Sequence, residues 1–363
     1  MSKKIGILSF HRANNYGAVL QNFALQRSIK HLGYTAETID YRSEKIEQQY
    51  KASIFPENKK LKSFISNCLN YRKTIIRNRK FDAFREHNIQ MSQAAHIDDL
   101  DEITVPYDVV ICGSDQVWNE TITGPENEDV YTLAFLNGKA KAAYAASAGN
   151  VKSISKNMLT NIKNLDLITV REQSLAEPLE QNCGKDVSVV CDPVFLIDEA
   201  EWLKMITPKK CNTLFLYFVD GVRDETCKIA KYISKKRKLE IVFPIRINPV
   251  TLGMRTCIYD HGPLEFVADI AHADFVVASS FHAVAFSIIL HKPFVALLHQ
   301  DTGSRVKDLI SKLHLESRIV TDREDFIRRE NDLSTIDYTE ADKILNDWKN
   351  YSLNKLKEIC ELA

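Results

Sequence analysis

No two cysteines of this chain form a C-x-x-C pair, no run of about 18 consecutive apolar residues occurs, and neither sign of charge is in excess. Each absence excludes a class of function. The cysteines stand apart at 68, 112, 183, 191, 211, 227, 257 and 360. A structural zinc or iron–sulfur site needs clustered ligands, so these are read as reduced thiols, several of them inside apolar runs. Without a long apolar run no spanning helix is expected. Lys plus Arg and Asp plus Glu both count 48, which leaves no global positive field to hold nucleic acid, and nucleic acid is not an expected partner. Internal repeats and low-complexity tracts are also missing. The opening MSKKIGILSF has an apolar run too brief for a signal peptide and reads as a first strand, so the expected location is cytoplasmic, at most peripheral at the inner face of the membrane.

What is present is alternation. Short apolar runs take turns with helical patterns along most of the 363 residues, the mark of βαβ units and a parallel sheet. The strand candidates of the first half are 5–10, 35–41, 109–112, 142–147, 167–170 and 187–191. Those of the second half are 213–219, 241–244, 275–278, 294–298 and 318–320. A polar, proline-bearing stretch at 206–213 separates them, and the hinge is placed there. The chain exceeds one ordinary core, since domains run ~100 to 200 residues. The fold class is therefore α/β, with two Rossmann-like domains facing a central cleft, at 1–207 and 208–335, and an amphipathic helix at 336–363. Ligands of such domains bind at strand-to-helix loops.

Residues 58–86 differ, with Leu61, Phe64, Ile65, Cys68 and Leu69 at helical spacing amid a dense basic remainder. Two readings stand: a core-packed helix with a solvated basic face, or a helix resting on an anionic membrane through residues 58–80, where a lipid-linked substrate would lie.

Several loops carry polar side chains beyond what a turn needs. The first, SFHRANNYGAVLQ, has His11, Arg12, Asn14, Asn15, Tyr16 and Gly17 between a strand and a helix, and the free helix amides can take an anion or hydroxyl. In the second, VICGSDQ, Asp115 either caps a short helix or accepts from a substrate hydroxyl, beside Gln116. The third, TVREQS, has Arg171 directly after a strand, suited to hold a carboxylate or phosphate; the other reading is an ion pair with Glu172 or another acid.

The most telling stretch is FVVASSFHAVAF, where Ser279 and Ser280 follow an apolar strand and His282 opens an equally apolar helix, so that an imidazole able to exchange protons near neutral pH faces the crevice. A satisfied structural histidine is the other reading. Glu265, in a helix's first turn, suits capping or a ligand, and Arg246, Ser304 and Arg305 lie in further strand-end loops.

In family order from Ile5 to about Leu315, the segments NNYGAVLQNFAL, GYTAETIDY, DVVICGSDQVWN, YAASAG, TVREQSL, CDPVFLI, the long GPLEFVADIAHADFVVASSFHAVAFSIILHKPFVAL and SRVKDLI resemble the polysaccharide pyruvyl transferase family. The resemblance implies a glycosyltransferase B type fold whose terminal helix returns towards the first domain. It also implies transfer of a pyruvyl group from phosphoenolpyruvate to two hydroxyls of a saccharide, giving a cyclic ketal in bacterial surface polysaccharide (exopolysaccharide) synthesis. The first domain would bind the acceptor, through His11, Asn14, Asn15, Tyr16, Gly17, Asp115 and Gln116. The second would bind the donor, through Ser279, Ser280, His282, Ala283, Arg246, Glu265, Ser304 and Arg305, with Arg171 joining them. Catalysis would fall to His282, Arg171 and Asp115. Phosphoenolpyruvate is a co-substrate, and no cofactor or metal is expected. Ala283 departs from the family's usual glycine. Two rivals remain: a nucleotide-sugar glycosyltransferase of the same fold, with Glu265 on a ribose, and a non-catalytic sugar or anion binding protein.

Overall fold

A computed structural model describes residues 3–55, 61–149, 154–207, 212–218, 223–246, 256–299 and 303–362. Part of the expected hinge, residues 208–211, lies outside them. The chain divides into two compact units. The first comprises residues 1–50, 85–197 and 343–363; the second comprises residues 51–84 and 198–342.

The first unit is built on a seven-stranded, wholly parallel sheet in the order β3-β2-β1-β4-β5-β6-β7. Its strands are β1 Lys4–Leu8, β2 Thr35–Tyr41, β3 Met91–Ala95, β4 Val109–Cys112, β5 Ala140–Ala146, β6 Leu167–Val170 and β7 Val187–Val189. The central strands are apolar on both faces, as burial beneath helices on each side requires; β4 reads VVIC and is buried throughout. In register, Ile5 of β1 lies beside Ala36 of β2 and Val109 of β4. From β1 the chain first winds outward through β2 and β3, then returns to β4 and winds the other way. The reversal opens a crevice beyond the carboxyl ends of β1 and β4, where such sheets place ligands.

The second unit carries a five-stranded parallel sheet in the order β10-β9-β8-β11-β12. Its strands are β8 Thr213–Tyr217, β9 Glu240–Phe243, β10 Thr256–Cys257, β11 Phe275–Ala278 and β12 Phe294–Ala296. Here the reversal falls between β8 and β11, and the loop that follows β11 begins at Ser279. Two Rossmann-like sheets of this kind give the glycosyltransferase B type fold.

The terminal helix Thr339–Glu361 belongs to the first unit from Lys343 onward. Its Trp348 Nε1 donates to the carbonyl of Val189 at 3.3 Å, and Ser352, fully buried, accepts from the Cys191 amide at 2.9 Å. A serine thus occupies the apolar face where it meets the open end of β7, since an exposed strand end needs hydrogen-bond partners more than it needs area.

Three departures from the sequence reading have physical causes. β3, MSQAA, lacks an apolar run because it is an edge strand with one covered neighbour. Residues 318–320 are not a strand: a 3-10 turn at Glu316–Arg318 leaves only Ile319 bridged to Ala296. Residues 51–84, expected in the first domain, group with the second unit. Among the described residues the seven cysteines are free, no His/Cys/Asp/Glu group could hold a metal, and no helix is long and apolar enough to cross a membrane.

Candidate functional site

In the first unit four neighbouring strand ends meet. β4 ends in Gly113, Ser114 and Asp115, β5 in Ser147, β6 in Arg171 and Glu172, and β7 leads to Asp192. Because β4, β5, β6 and β7 are successive in the sheet, their carboxyl ends crowd one edge. Arg171 lies at the centre: its Nη1 is 2.6 Å from Asp192 Oδ2, its Nε 3.5 Å from Glu172 Oε2, and its Nη2 3.9 Å from Asp115 Oδ1. Its side chain is 1% exposed. Burial opposes the charge of the guanidinium, but Asp192, Glu172 and Asp115 outweigh it and hold its pKa above the ordinary arginine value.

Asp192 is fully buried and satisfied: besides Arg171 it receives Ser114 Oγ at 3.3 Å and the Val194 amide at 3.1 Å, capping the turn that Pro193 starts. Glu172 receives Ser147 Oγ at 2.5 Å. Of the two readings of Arg171, the geometry favours the ion pair. A guanidinium ringed by three carboxylates and cut off from solvent is not displayed to a dianion. Sequence reasoning missed Asp192; the Asp-Pro pair directly after an apolar run was the available signal.

Asp115 departs from ordinary backbone, with φ of 82°. Left-handed geometry in a non-glycine residue costs free energy and recurs at functional sites. What holds it is main-chain pairing: its carbonyl accepts the amides of Val117 at 2.7 Å and Ser147 at 3.0 Å, tying β4 to the loop after β5. The carboxylate stays partly open to solvent, as does Gln116. Gly149, with φ of 72°, closes the same loop in a left-handed backbone that favours glycine.

At the other end of the crevice the loop after β1 is tightly bound within the protein. His11 is fully buried, with Nε2 3.0 Å from Asp40 Oδ1 and Nδ1 3.2 Å from the Ser9 carbonyl. Arg12 grips both oxygens of Asp40, its Nε at 2.6 Å from Oδ1. Burial lowers the His11 pKa more than Asp40 raises it, leaving a neutral ring at neutral pH. Burial would raise the Asp40 pKa, but the hydrogen bonds from His11 and Arg12 hold it well below the carboxylate range. Arg85 fixes the loop through the His11 carbonyl at 3.3 Å and Asn14 Oδ1 at 2.9 Å. Asn15 caps the helix Tyr16–His31 through the Ala18 amide and is the exposed one; His11, Asn14, Tyr16 and Gly17 are buried.

In the second unit Ser279 continues β11, its amide bonded to the Tyr217 carbonyl at 3.0 Å. Ser280 takes the cap position of the helix Phe281–Ile289, and its hydroxyl makes no capping hydrogen bond. His282 stands in the first turn, nearly buried, its ring edge-on to Phe281 at 5.2 Å. The helix is anchored from below: Phe286 packs on Trp202 at 5.1 Å and on Phe266 at 6.1 Å. Ala283 is wholly buried, so its methyl fills the interior of the helix packing.

The remaining donor-side residues are occupied differently. Glu265 accepts the Gly262 amide at 2.6 Å and pairs with Lys80 at 2.5 Å, which is capping with an added ion pair. Arg246 is exposed and donates to Asn67 at 2.7 Å. Ser304 and Arg305 open the helix Ser304–Lys312, half-buried.

Solved structures share this architecture. A UDP-GlcNAc 2-epimerase from Neisseria meningitidis, bound to UDP-GlcNAc, matches with a TM-score of 0.52 at 13% identity, covering 96% of this chain and 100% of that one. The UDP-GlcNAc 2-epimerase from Methanocaldococcus jannaschii gives 0.53 at 12% identity, with 96% and 99% covered. A complex of MnaA from S. aureus with UDP gives 0.52 at 12%, with 97% of each chain covered. At such identity they establish the fold alone. No curated protein sequence matches the chain. A family model described as polysaccharide pyruvyl transferase does, over residues 15–301, a span that includes Asp115, Arg171 and His282. The chain belongs to the polysaccharide pyruvyl transferase family.

Proposed function

We propose that the protein transfers the pyruvyl group of phosphoenolpyruvate to two hydroxyls of one saccharide, forming a cyclic ketal in surface polysaccharide synthesis. The observation that carries this reading is the family match over residues 15–301. In the reaction, C2 of the donor gains two bonds to sugar oxygens and loses its bond to phosphate. One hydroxyl proton ends on the methylene carbon, which becomes a methyl group, and the other leaves with phosphate. The reaction therefore needs a base at the acceptor and a proton carrier at the donor.

The first unit supports the acceptor side. Asp115 presents a carboxylate at a strand end, on a backbone too constrained to turn away, and accepts from a hydroxyl. Arg171 serves as its neighbouring positive charge, fixed by Asp192 and Glu172 rather than aimed at the donor. The second unit supports the donor side: His282, in the first turn of the helix that Ser280 caps, carries the proton or steadies the departing phosphate. No cofactor enters this scheme. The acceptor class is saccharide, and a lipid-linked one suits a cytoplasmic enzyme working at the inner face of the membrane.

The fold neighbours that hold UDP or UDP-GlcNAc keep the nucleotide-sugar reading in view. Thermal-shift titration with phosphoenolpyruvate against a panel of sugar nucleotides decides between them, since a ligand that binds only the folded state raises its melting temperature. Stabilisation by phosphoenolpyruvate, and phosphate release once a saccharide is added, is the expected result. Stabilisation by a sugar nucleotide alone overturns the assignment.

A further inference from the structure

The helix Leu61–Asn88 buries Phe81 and Phe84 yet leaves two aliphatic side chains of its other face in water. Along its second-unit portion three cations, Lys73, Arg77 and Lys80, turn towards the rest of that unit. Lys73 Nζ donates to Asp260 Oδ1 at 2.6 Å and to the Cys257 carbonyl at 2.8 Å, and Lys80 pairs with Glu265. The guanidinium of Arg77 lies over the rings of Phe81 at 4.5 Å and Tyr259 at 5.2 Å. The opposite stripe bears Ile65, 50% exposed, and Leu69, 56% exposed, with Cys68 beside them and the exposed Arg72 and Arg79 further along. Ile65, Leu69 and Arg72 follow one another at three or four residues and Arg79 stands about two turns further on, so they share one face. Phe55, 79% exposed, adds a ring 6.0 Å from that of Phe64.

We infer that this outward row docks the protein on an anionic lipid bilayer. Residues 58–81 contain eight cations and no acid, in a chain whose total charge is zero. Of these, Arg72 and Arg79 are exposed on the face that carries Ile65 and Leu69. Two copies of such a face would bring like charges together, which argues against self-association. A row of aliphatic side chains lying along a helix, flanked by arginines whose long stems can reach the headgroups, fits a bilayer interface. The sequence allows a core-packed helix with a solvated basic face or a helix resting on an anionic membrane; the structure commits Lys73, Arg77 and Lys80 to contacts within the unit and leaves Ile65 and Leu69 in water. A docking helix would serve the proposed reaction on a lipid-linked acceptor, yet vesicle binding is read without any turnover.

The test is flotation of the full-length protein with vesicles of zwitterionic lipid alone and of zwitterionic mixed with anionic lipid. Binding to the anionic vesicles is expected, weakened by added salt, and reduced about tenfold or more by Leu69→Glu and by Ile65→Glu, each of which loses the burial of one aliphatic side chain. Both positions are exposed, so a thermal melt of each variant should match the parent, and phosphate release with a soluble acceptor should stay unchanged. Three results overturn the inference: no binding to anionic vesicles, binding that both glutamate variants retain, or a dimer in solution that the same variants dissociate. A loss of phosphate release in the parent protein would instead fault the proposed reaction and leave the vesicle result standing.

Discussion

Arg171 and Asp192 form a salt bridge at 2.6 Å in which neither side chain is reachable from solvent. The two come from successive strand ends, β6 and β7, and their pairing fixes the edge of the first sheet. Removing one partner of a buried pair strands the other charge, at a cost of about 3–5 kcal/mol. Asp192→Leu and Arg171→Met should each lower unfolding free energy by that order in urea titration, while the joint replacement Arg171→Met with Asp192→Leu should cost less than the sum. Additive losses would show that the bridge carries no coupling.

Asp115 offers a separation of stability from activity. Replacing it by alanine or by glycine removes the same carboxylate, but only glycine relaxes the left-handed backbone at φ of 82°. The glycine variant should be the more stable of the two by about 1 kcal/mol, read from denaturant midpoints. Both variants should lose turnover by about 10²- to 10⁴-fold if the carboxylate takes the hydroxyl proton. Equal stability of the two would mean that the backbone is unstrained, and retained turnover would remove Asp115 from catalysis.

Much of this was readable before any coordinates. Strands such as VVIC and FVVA identify themselves because burial on both faces makes them continuous apolar runs, and the alternation of such runs implies two parallel sheets. The polar edge strand β3 carries no such signal. Nor could local pattern show which way the helix Leu61–Asn88 faces, since its partners Asp260 and Glu265 lie more than 180 residues away in sequence. The same holds for Arg171: adjacency to Glu172 was visible, but Asp192, its strongest partner, joins it only when β6 and β7 pair. The loops at the two sheet reversals were legible because topology alone places them. What each side chain does there depends on long-range pairing.

The His11 and Asp40 pair should register in the pH dependence of stability. His11 has a lowered pKa in the folded protein, so below about pH 6.5 the unfolded chain binds a proton that the folded one refuses. Stability is then lost as pH falls, by up to about 1.4 kcal/mol per pH unit for one proton. Asp40 is also depressed, and its contribution, present above about pH 4, is lost on further acidification. Urea titrations between pH 8 and pH 5 on the parent and on His11→Gln should differ in slope, the parent being steeper. Parallel curves would mean that His11 titrates alike in both states.

His282 distinguishes between two duties by the way kinetic constants respond. If it carries a proton, His282→Ala should lower kcat by about 10²- to 10⁴-fold and leave the KM for phosphoenolpyruvate close to the parent's. If it chiefly grips the donor, KM should rise while kcat stays near the parent value. Because the helix Phe281–Ile289 is anchored through Phe286 on Trp202 and Phe266, the substitution leaves the packing beneath intact, and a thermal melt should confirm a folded variant. Initial rates of phosphate release over a range of donor concentrations give both constants. Parent values for both would exclude this imidazole from the reaction.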